Sequence, residues 1–213
     1  MSEPVLSPSE AAVALAQPSD RAARRLLGAY LRGPDEVVVT IVEVEAYGGP
    51  GTDPASHVYR GRTDRNQAMF GEPGSLYVYK SYGIHTCLNV VSHEPGSAGG
   101  VLIRAGRVQT SVDDARRGRD HLSEVKLASG PGRLGTTLGY HLSDGGLELL
   151  KSGLLRLSRL PVNDVEVGPR VGVSKAVERP WRFWIQGAAE VTRYRAGGTR
   201  SQNSQSKDRQ GRV

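Results

Sequence analysis

VVVTIVEVEAY, residues 37–47, is the stretch on which the fold turns. Valine and isoleucine crowd it, and β-branched side chains of this kind favour a pleated, half-buried strand over a helix. Side chains alternate faces along a strand. One face therefore reads Val37, Val39, Ile41, Glu43, Glu45, Tyr47, and the other reads Val38, Thr40, Val42, Val44, Ala46. Two carboxylates continue a face that begins wholly apolar, about 7 Å apart along the strand. Either this face leaves the core at Glu43 and both acids are solvated, or it enters a lined cleft. The aromatic Tyr47 returning on the same face favours the cleft.

Outward from this strand, Ser19 or Asp20 can cap a helix over residues 21–27 that Gly28 ends. Downstream, GGPGTDP at 48–54 is a turn-dense loop, and residues 55–75 read as a long surface loop carrying Arg60, Arg62 and Arg65. Residues 76–91 form a β-hairpin whose two β-rich runs meet at Ser81-Tyr82-Gly83. A third strand covers 101–108, an exposed polar helix 111–120, and a short helix begins at Pro131 and runs through Leu138. Residues 147–157 read as a strand pair and 181–185 as a final buried strand. Residues 1–18 are expected to be a flexible, loosely attached arm with a short helix. The main folded domain would span 19–195, leaving 196–213 as a disordered basic tail, because apolar residues vanish there. The fold class that follows is α+β: a single compact domain around a curved, largely antiparallel sheet with a protruding β-hairpin.

Composition narrows the function classes. At 213 residues there is room for one domain with a real core. A formal charge of +6 makes a polyanionic partner more plausible than for a neutral protein. The single cysteine, Cys87, rules out an internal disulfide and a multi-cysteine zinc or iron–sulfur site. The start carries no basic, apolar secretory signal, and no run of about 18 apolar residues suggests a membrane span. An intracellular, cytoplasmic protein is expected.

Several residues break the fold's own pattern. Tyr77, Tyr79 and Tyr82 fall within six residues of a protein only 6% aromatic. Tyr77 and Tyr79 share a face, and Tyr77 can be explained by packing. Tyr82, at a tip beside Gly83, cannot, and an exposed aromatic wedge suits a protein that opens a base stack. Asn89, taken to lie across from Tyr79, and Arg104 each interrupt an apolar strand, so each must find buried partners. Glu43, Glu45, His57 and His85 are the one set that could hold a metal, but no tight HxH or HxxxH spacing supports it. No metal and no cofactor are expected.

Ile41-Val42-Glu43-Val44-Glu45-Ala46-Tyr47, then Ala55-Ser56-His57, Arg65-Asn66, Met69-Phe70, Pro73 through Tyr79, Tyr82-Gly83 and Asn89 resemble the alkyladenine (3-methyladenine) DNA glycosylase family. Ser129-Gly130-Pro131 with Leu134, Arg170 through Val173, and Pro180 with Arg182-Phe183 extend the likeness over roughly residues 20–190. The loop before His57 is one residue longer than in the mammalian form, and Ile84 and His85 replace its methionine and tyrosine. The resemblance implies Glu45 as general base, Arg104 as a side chain holding the attacking water, and the backbone carbonyl of Val171 as a third water contact. It implies Tyr47, His57 and Tyr79 around a flipped base, and Tyr82 as the residue intercalated in the minor groove. Asn89 would disfavour guanine through its 2-amino group.

The chemistry this implies is hydrolysis of the N-glycosidic bond of a damaged purine in double-stranded DNA, by a cytoplasmic monomer that meets the nucleoid through DNA. A Schiff-base lyase would need a lysine in the pocket. None lies in the segments of Glu45, His57, Asn89 and Arg104, and Lys80 points opposite to Tyr79, so hydrolysis alone is expected. The rival readings are a non-catalytic basic nucleic-acid-binding protein and a metal-dependent hydrolase.

Overall fold

The computed structural model describes residues 4–198. Eight strands form one sheet: β1 (Tyr30–Arg32), β2 (Val38–Tyr47), β3 (Leu76–Ser81), β4 (His85–Val91), β5 (Gly100–Val108), β6 (Leu155–Arg156), β7 (Val165–Gly168) and β8 (Arg182–Ile185). Their main order is β3-β4-β5-β2-β1-β6, with β8 joining β2 and β7, and every pairing is antiparallel. Five short helices accompany the sheet: α1 (Pro8–Leu15), α2 (Ser19–Leu26), α3 (Val112–Arg116), α4 (Glu124–Leu127) and α5 (Pro131–Leu138). The single α+β domain expected from the sequence is the one observed.

The central strand departs from simple alternation. Ile41 pairs with Gly106 and Glu43 with Ala105, so Val42 is an extra residue on β2; Val44 then pairs with Ile103, which leaves Arg104 as the extra residue on β5. Two opposed bulges thus flank one pair of residues, and a bulge re-aims the side chains beyond it. Before the bulge Val37, Val39 and Ile41 enter the main core; after it Val44 and Ala46 do. Glu43, Glu45 and Tyr47 therefore do not continue the apolar face, as strict alternation requires. They lie on the opposite side of the sheet. That side also holds Tyr77 with Met69 and Val91 in a second, smaller apolar cluster that Tyr79 packs against, while Leu76, Val78, Leu88, Val90, Val101 and Ile103 fill the main core. Each middle strand thus divides its alternate residues between the core and the site.

Other elements differ from expectation in instructive ways. The N-terminal arm is packed: Ser7 caps α1, and Ala11 and Leu15 are buried in the main core. Ser19 does not cap α2; its hydroxyl donates to the Ser92 carbonyl at 2.9 Å and is buried. The polar helix expected over 111–120 stops at Arg116, where Arg117 turns left-handed at φ 49°. Residues 147–157 supply one two-residue strand, β6, rather than a strand pair, and β1 and β7 escape a reading by periodicity because they are so short. The disordered-tail expectation falls almost wholly on residues 199–213, outside those described. At the hairpin, Ser81 pairs with His85, and Tyr82 and Gly83 both turn with positive φ, 51° and 72°. Helix α5 backs this hairpin closely: a Cβ on Gly135 would sit 2.1 Å from the Thr86 carbonyl oxygen, and one on Gly132 would meet the His85 ring.

Candidate active site

Glu43 and Glu45 are both fully buried on the site face of β2, yet they are held differently. Glu43 Oε1 accepts from Arg104 Nε (2.9 Å), Arg182 Nε (2.8 Å) and the Thr192 hydroxyl (2.7 Å), and its Oε2 accepts from the Thr192 amide (2.7 Å). A carboxylate offers about four acceptor positions, so Glu43 is saturated. Glu45 Oε1 accepts one hydrogen bond, from the Val171 amide at 2.6 Å; its Oε2 accepts from the Tyr47 hydroxyl at 2.9 Å and faces Arg104 Nη1 at 3.2 Å. Glu45 therefore keeps acceptor capacity for one more donor. Arg104 bridges the two acids, and its Nη2 also donates to the Thr192 hydroxyl at 3.1 Å.

Electrostatics fix the protonation of the neighbours. Burial would lower the Arg104 guanidinium, but the Glu45 and Glu43 carboxylates outweigh it and raise it above its ordinary value. Burial, then the Glu45 charge, pushes the Tyr47 phenol well above its usual range, so it stays a donor to Glu45. Burial likewise raises Tyr79. Burial and, after it, the positive charge of Arg65 hold His57 below the ordinary histidine value, which keeps the ring neutral at pH 7.

A cavity of about 340 Å³ opens beside this cluster, large enough for a purine and walled on one side by aromatic side chains. It brings together Tyr47, His57, Tyr79 and Asn89 as expected, and adds Tyr77, Met69, the Pro54-Ala55 corner, and Gly172 through Lys175. His57 reaches it despite the longer loop. Its Nδ1 lies 2.9 Å from the Tyr77 hydroxyl, and its ring meets Tyr79 edge-on with centroids 4.6 Å apart. Tyr77, explicable from the sequence by packing, is also part of the wall; the face it shares with Tyr79 is the signal for it. Asn89 pairs across the hairpin with Tyr77, not Tyr79, and donates its Nδ2 hydrogen to the Tyr77 carbonyl at 3.2 Å.

Four expected residues stand apart from the wall. Glu45 and Arg104 lie behind the cavity, joined to it through the Tyr47 hydroxyl. Val171 donates its backbone N–H to Glu45 at 2.6 Å. Tyr82 is 93% exposed at the hairpin tip. A bulky residue in the left-handed region costs roughly 1 kcal/mol, and this one gains no packing in return. Lys175 at the wall overturns the premise that no lysine reaches the pocket; it sits on an irregular loop, where no periodicity could have placed it. Among the described residues no three histidine, cysteine, aspartate or glutamate side chains converge on a metal-sized site. No described helix is long and apolar enough to cross a membrane.

The site is a pocket with an aromatic wall, backed by a buried carboxylate with a free acceptor position. Comparison with known proteins makes the class specific. The sequence model of one family, methylpurine-DNA glycosylase (MPG), matches residues 13–189. A protein of Nocardia farcinica is 51% identical over 183 residues, covering 82% of this chain and 86% of its own. One of Mycobacterium tuberculosis is 47% identical over 181 residues, covering 82% and 88%, and one of Rhodococcus jostii is 47% identical over 201 residues, covering 92% and 87%. All three carry the name "Putative 3-methyladenine DNA glycosylase". The chain belongs to the methylpurine-DNA glycosylase family, and is in that sense a DNA glycosylase, a DNA-binding hydrolase of DNA repair.

Proposed function

We propose that this protein turns alkylated or deaminated purines (3-methyladenine, 7-methylguanine and hypoxanthine in type) out of double-stranded DNA and hydrolyses their N-glycosidic bond, with Glu45 as general base. The observation that carries this is the contrast between the two acids: Glu43 is saturated, while Glu45, behind the aromatic cavity and joined to it through Tyr47, keeps an acceptor position. The exposed Tyr82 enters the space the base leaves. The extruded base lies among Tyr47, Tyr79 and neutral His57. A cationic alkylated purine gains about 0.5–2 kcal/mol from such aromatic faces over a neutral one. Its positive charge also weakens the bond to the sugar.

When the base is seated, one water is drawn between Glu45 and the sugar. Its oxygen bonds to C1′ and its proton passes to Glu45. The C1′–N bond breaks with its electron pair leaving on the base; this neutralises an alkylated cation, while hypoxanthine leaves as an anion that takes its proton from solvent water. The developing oxocarbenium charge is offset by the carboxylate, as in glycoside hydrolysis. Arg104 and the Val171 carbonyl hold the water, and no cofactor takes part. Hydrolysis is proposed as the sole chemistry, with the carboxylate and not Lys175 as the reacting group.

The test is incubation of the protein with duplexes that each carry one known lesion, followed by measurement of free base and by borohydride reduction. Release of free purine with no protein–DNA adduct is expected. Absence of release from every lesion would overturn the glycosylase reading, and a trapped adduct would overturn hydrolysis as the sole chemistry.

A further inference from the structure

Arg170 has the largest fully buried side chain in the described protein, and it does not border the cavity. Its Nη1 donates to Asp53 Oδ2 at 2.6 Å and its Nη2 to Asp53 Oδ1 at 3.0 Å, a bidentate pair in which both side chains are fully buried. Such a pair costs desolvation that its attraction does not reliably recover, so it is a poor device for stability alone. The pair's other bonds show where its geometry is needed. Arg170 Nη1 also donates to the Ala46 carbonyl at 2.9 Å, next to Tyr47, and Nη2 to the Ala176 carbonyl at 3.4 Å, next to Lys175. Asp53 accepts from the amides of Gly48 (3.0 Å) and Ala55 (3.2 Å). Burial works to raise the Asp53 carboxyl, yet the bonds from Arg170, Gly48 and Ala55 hold it below its ordinary value.

Every segment so tied carries part of the site. The guanidinium carbon lies 4.8 Å from the centroid of the Tyr47 ring and 5.4 Å from that of Trp181. Tyr47 both walls the cavity and donates to Glu45. Residue 171, next in the chain after Arg170, supplies the amide on Glu45 Oε1. Asp53 anchors the corner from which Pro54, Ala55 and His57 reach the cavity. Arg170 Nε is buried with no partner among the described residues, so the side chain makes these contacts at the expense of one of its own donors.

We propose that Asp53 and Arg170 are positioning residues for the Glu45-dependent step, fixing Tyr47 and the Val171 amide on the general base and setting the two loops that wall the cavity. This rests on Glu45 acting as the base. Small displacements of a catalytic group from its reacting partner cost large factors in rate, so loss of the clamp acts on the chemical step rather than on DNA affinity.

The experiment compares wild type, Asp53→Asn, and the double variant Asp53→Asn/Arg170→Gln, which leaves no lone buried charge and keeps the question answerable should the single variant fold poorly. Release of 7-methylguanine is followed in single turnovers at saturating enzyme, where the rate constant does not depend on the folded fraction, and affinity is measured separately on undamaged duplex. The expected result is a rate at least tenfold below wild type in the folded variants, with affinity for undamaged duplex within threefold. Rates within threefold of wild type in the double variant would overturn the positioning role alone. Failure of the wild type itself to release base would instead overturn the reading of Glu45.

Discussion

Replacing Glu45 by glutamine perturbs one atom's worth of chemistry in a fully buried site, and the structure gives the size of each consequence. If the glutamine carbonyl takes the Val171 amide, its NH2 must face the Tyr47 hydroxyl and Arg104 Nη1, the two groups that Glu45 Oε2 now serves. The hydroxyl can rotate to accept, but the guanidinium cannot, so one donor–donor contact remains at a cost of about 1–3 kcal/mol in stability. Arg104 stays anchored through Glu43, which limits the damage to the cavity. The chemical loss is larger. An amide takes no proton from water at neutral pH, and removal of a positioned general base lowers a rate by about 10²–10⁴-fold, or roughly 3–5.5 kcal/mol at 1.36 kcal/mol per decade. The assay is single-turnover release of 7-methylguanine from duplex DNA with enzyme in excess, run beside a binding titration and a melting curve. Excision should fall by at least a hundredfold while affinity for DNA stays nearly unchanged. Residual excision within tenfold of wild type, in a folded variant, would refute the assignment of Glu45.

Three further outcomes are expected. Tyr82→Gly relieves a left-handed tyrosine at a 93% exposed position and should melt no lower than wild type; a fluorescent base analogue in the duplex should nevertheless show less extrusion, and unchanged extrusion would mean that Tyr82 is only exposed. For His57, the folded-state value lies below the ordinary 6.5, so its contribution to stability is complete above that pH. It is lost as pH falls, because the unfolded chain takes up the proton first. Wild type should therefore lose more melting temperature than His57→Gln between about pH 7.5 and 5.5, and equal losses would remove the argument. Asn89→Ala frees the purine's minor-groove edge from a buried amide and should narrow the preference for hypoxanthine over guanine by roughly tenfold, about 1–3 kcal/mol at most; a folded variant with unaltered discrimination would place the gate elsewhere.

What the sequence made legible was local. The β-branched run of β2, the hairpin with its tyrosine tip and the proline-led α5 declare themselves in windows of ten residues. The side of the sheet on which Glu43 and Glu45 fall did not, because the bulge at Val42 is defined only by its partner: Ile41 stays with Gly106 and the register moves beyond it. The division of labour between the acids was hidden for the same reason. The groups that saturate Glu43 come from Arg104, Arg182 and Thr192, which lie 61, 139 and 149 residues along the chain. Lys175 and the Asp53–Arg170 pair sit on irregular loops, where the position of a side chain is a property of the closed fold rather than of any period.

That two glutamates two residues apart on one face should have separate fates follows from the paired bulges. Because Arg104 is the extra residue on β5, no partner residue stands opposite it, and its guanidinium spans from Glu43 Oε1 to Glu45 Oε2. One cation shared between two buried carboxylates leaves a net negative charge that a dry interior would penalise heavily. Arg182, brought in by β8 along the opposite edge of β2, removes it by taking Glu43 as its own partner. Arg104 is then free to lend its remaining field to Glu45, which keeps a spare acceptor position without being an uncompensated charge. A sheet with regular register would place these acids in the apolar core among Val37, Val39 and Ile41, away from the arginines that now face them. The single residue inserted at Val42 therefore turns Glu43 and Glu45 out of the apolar core.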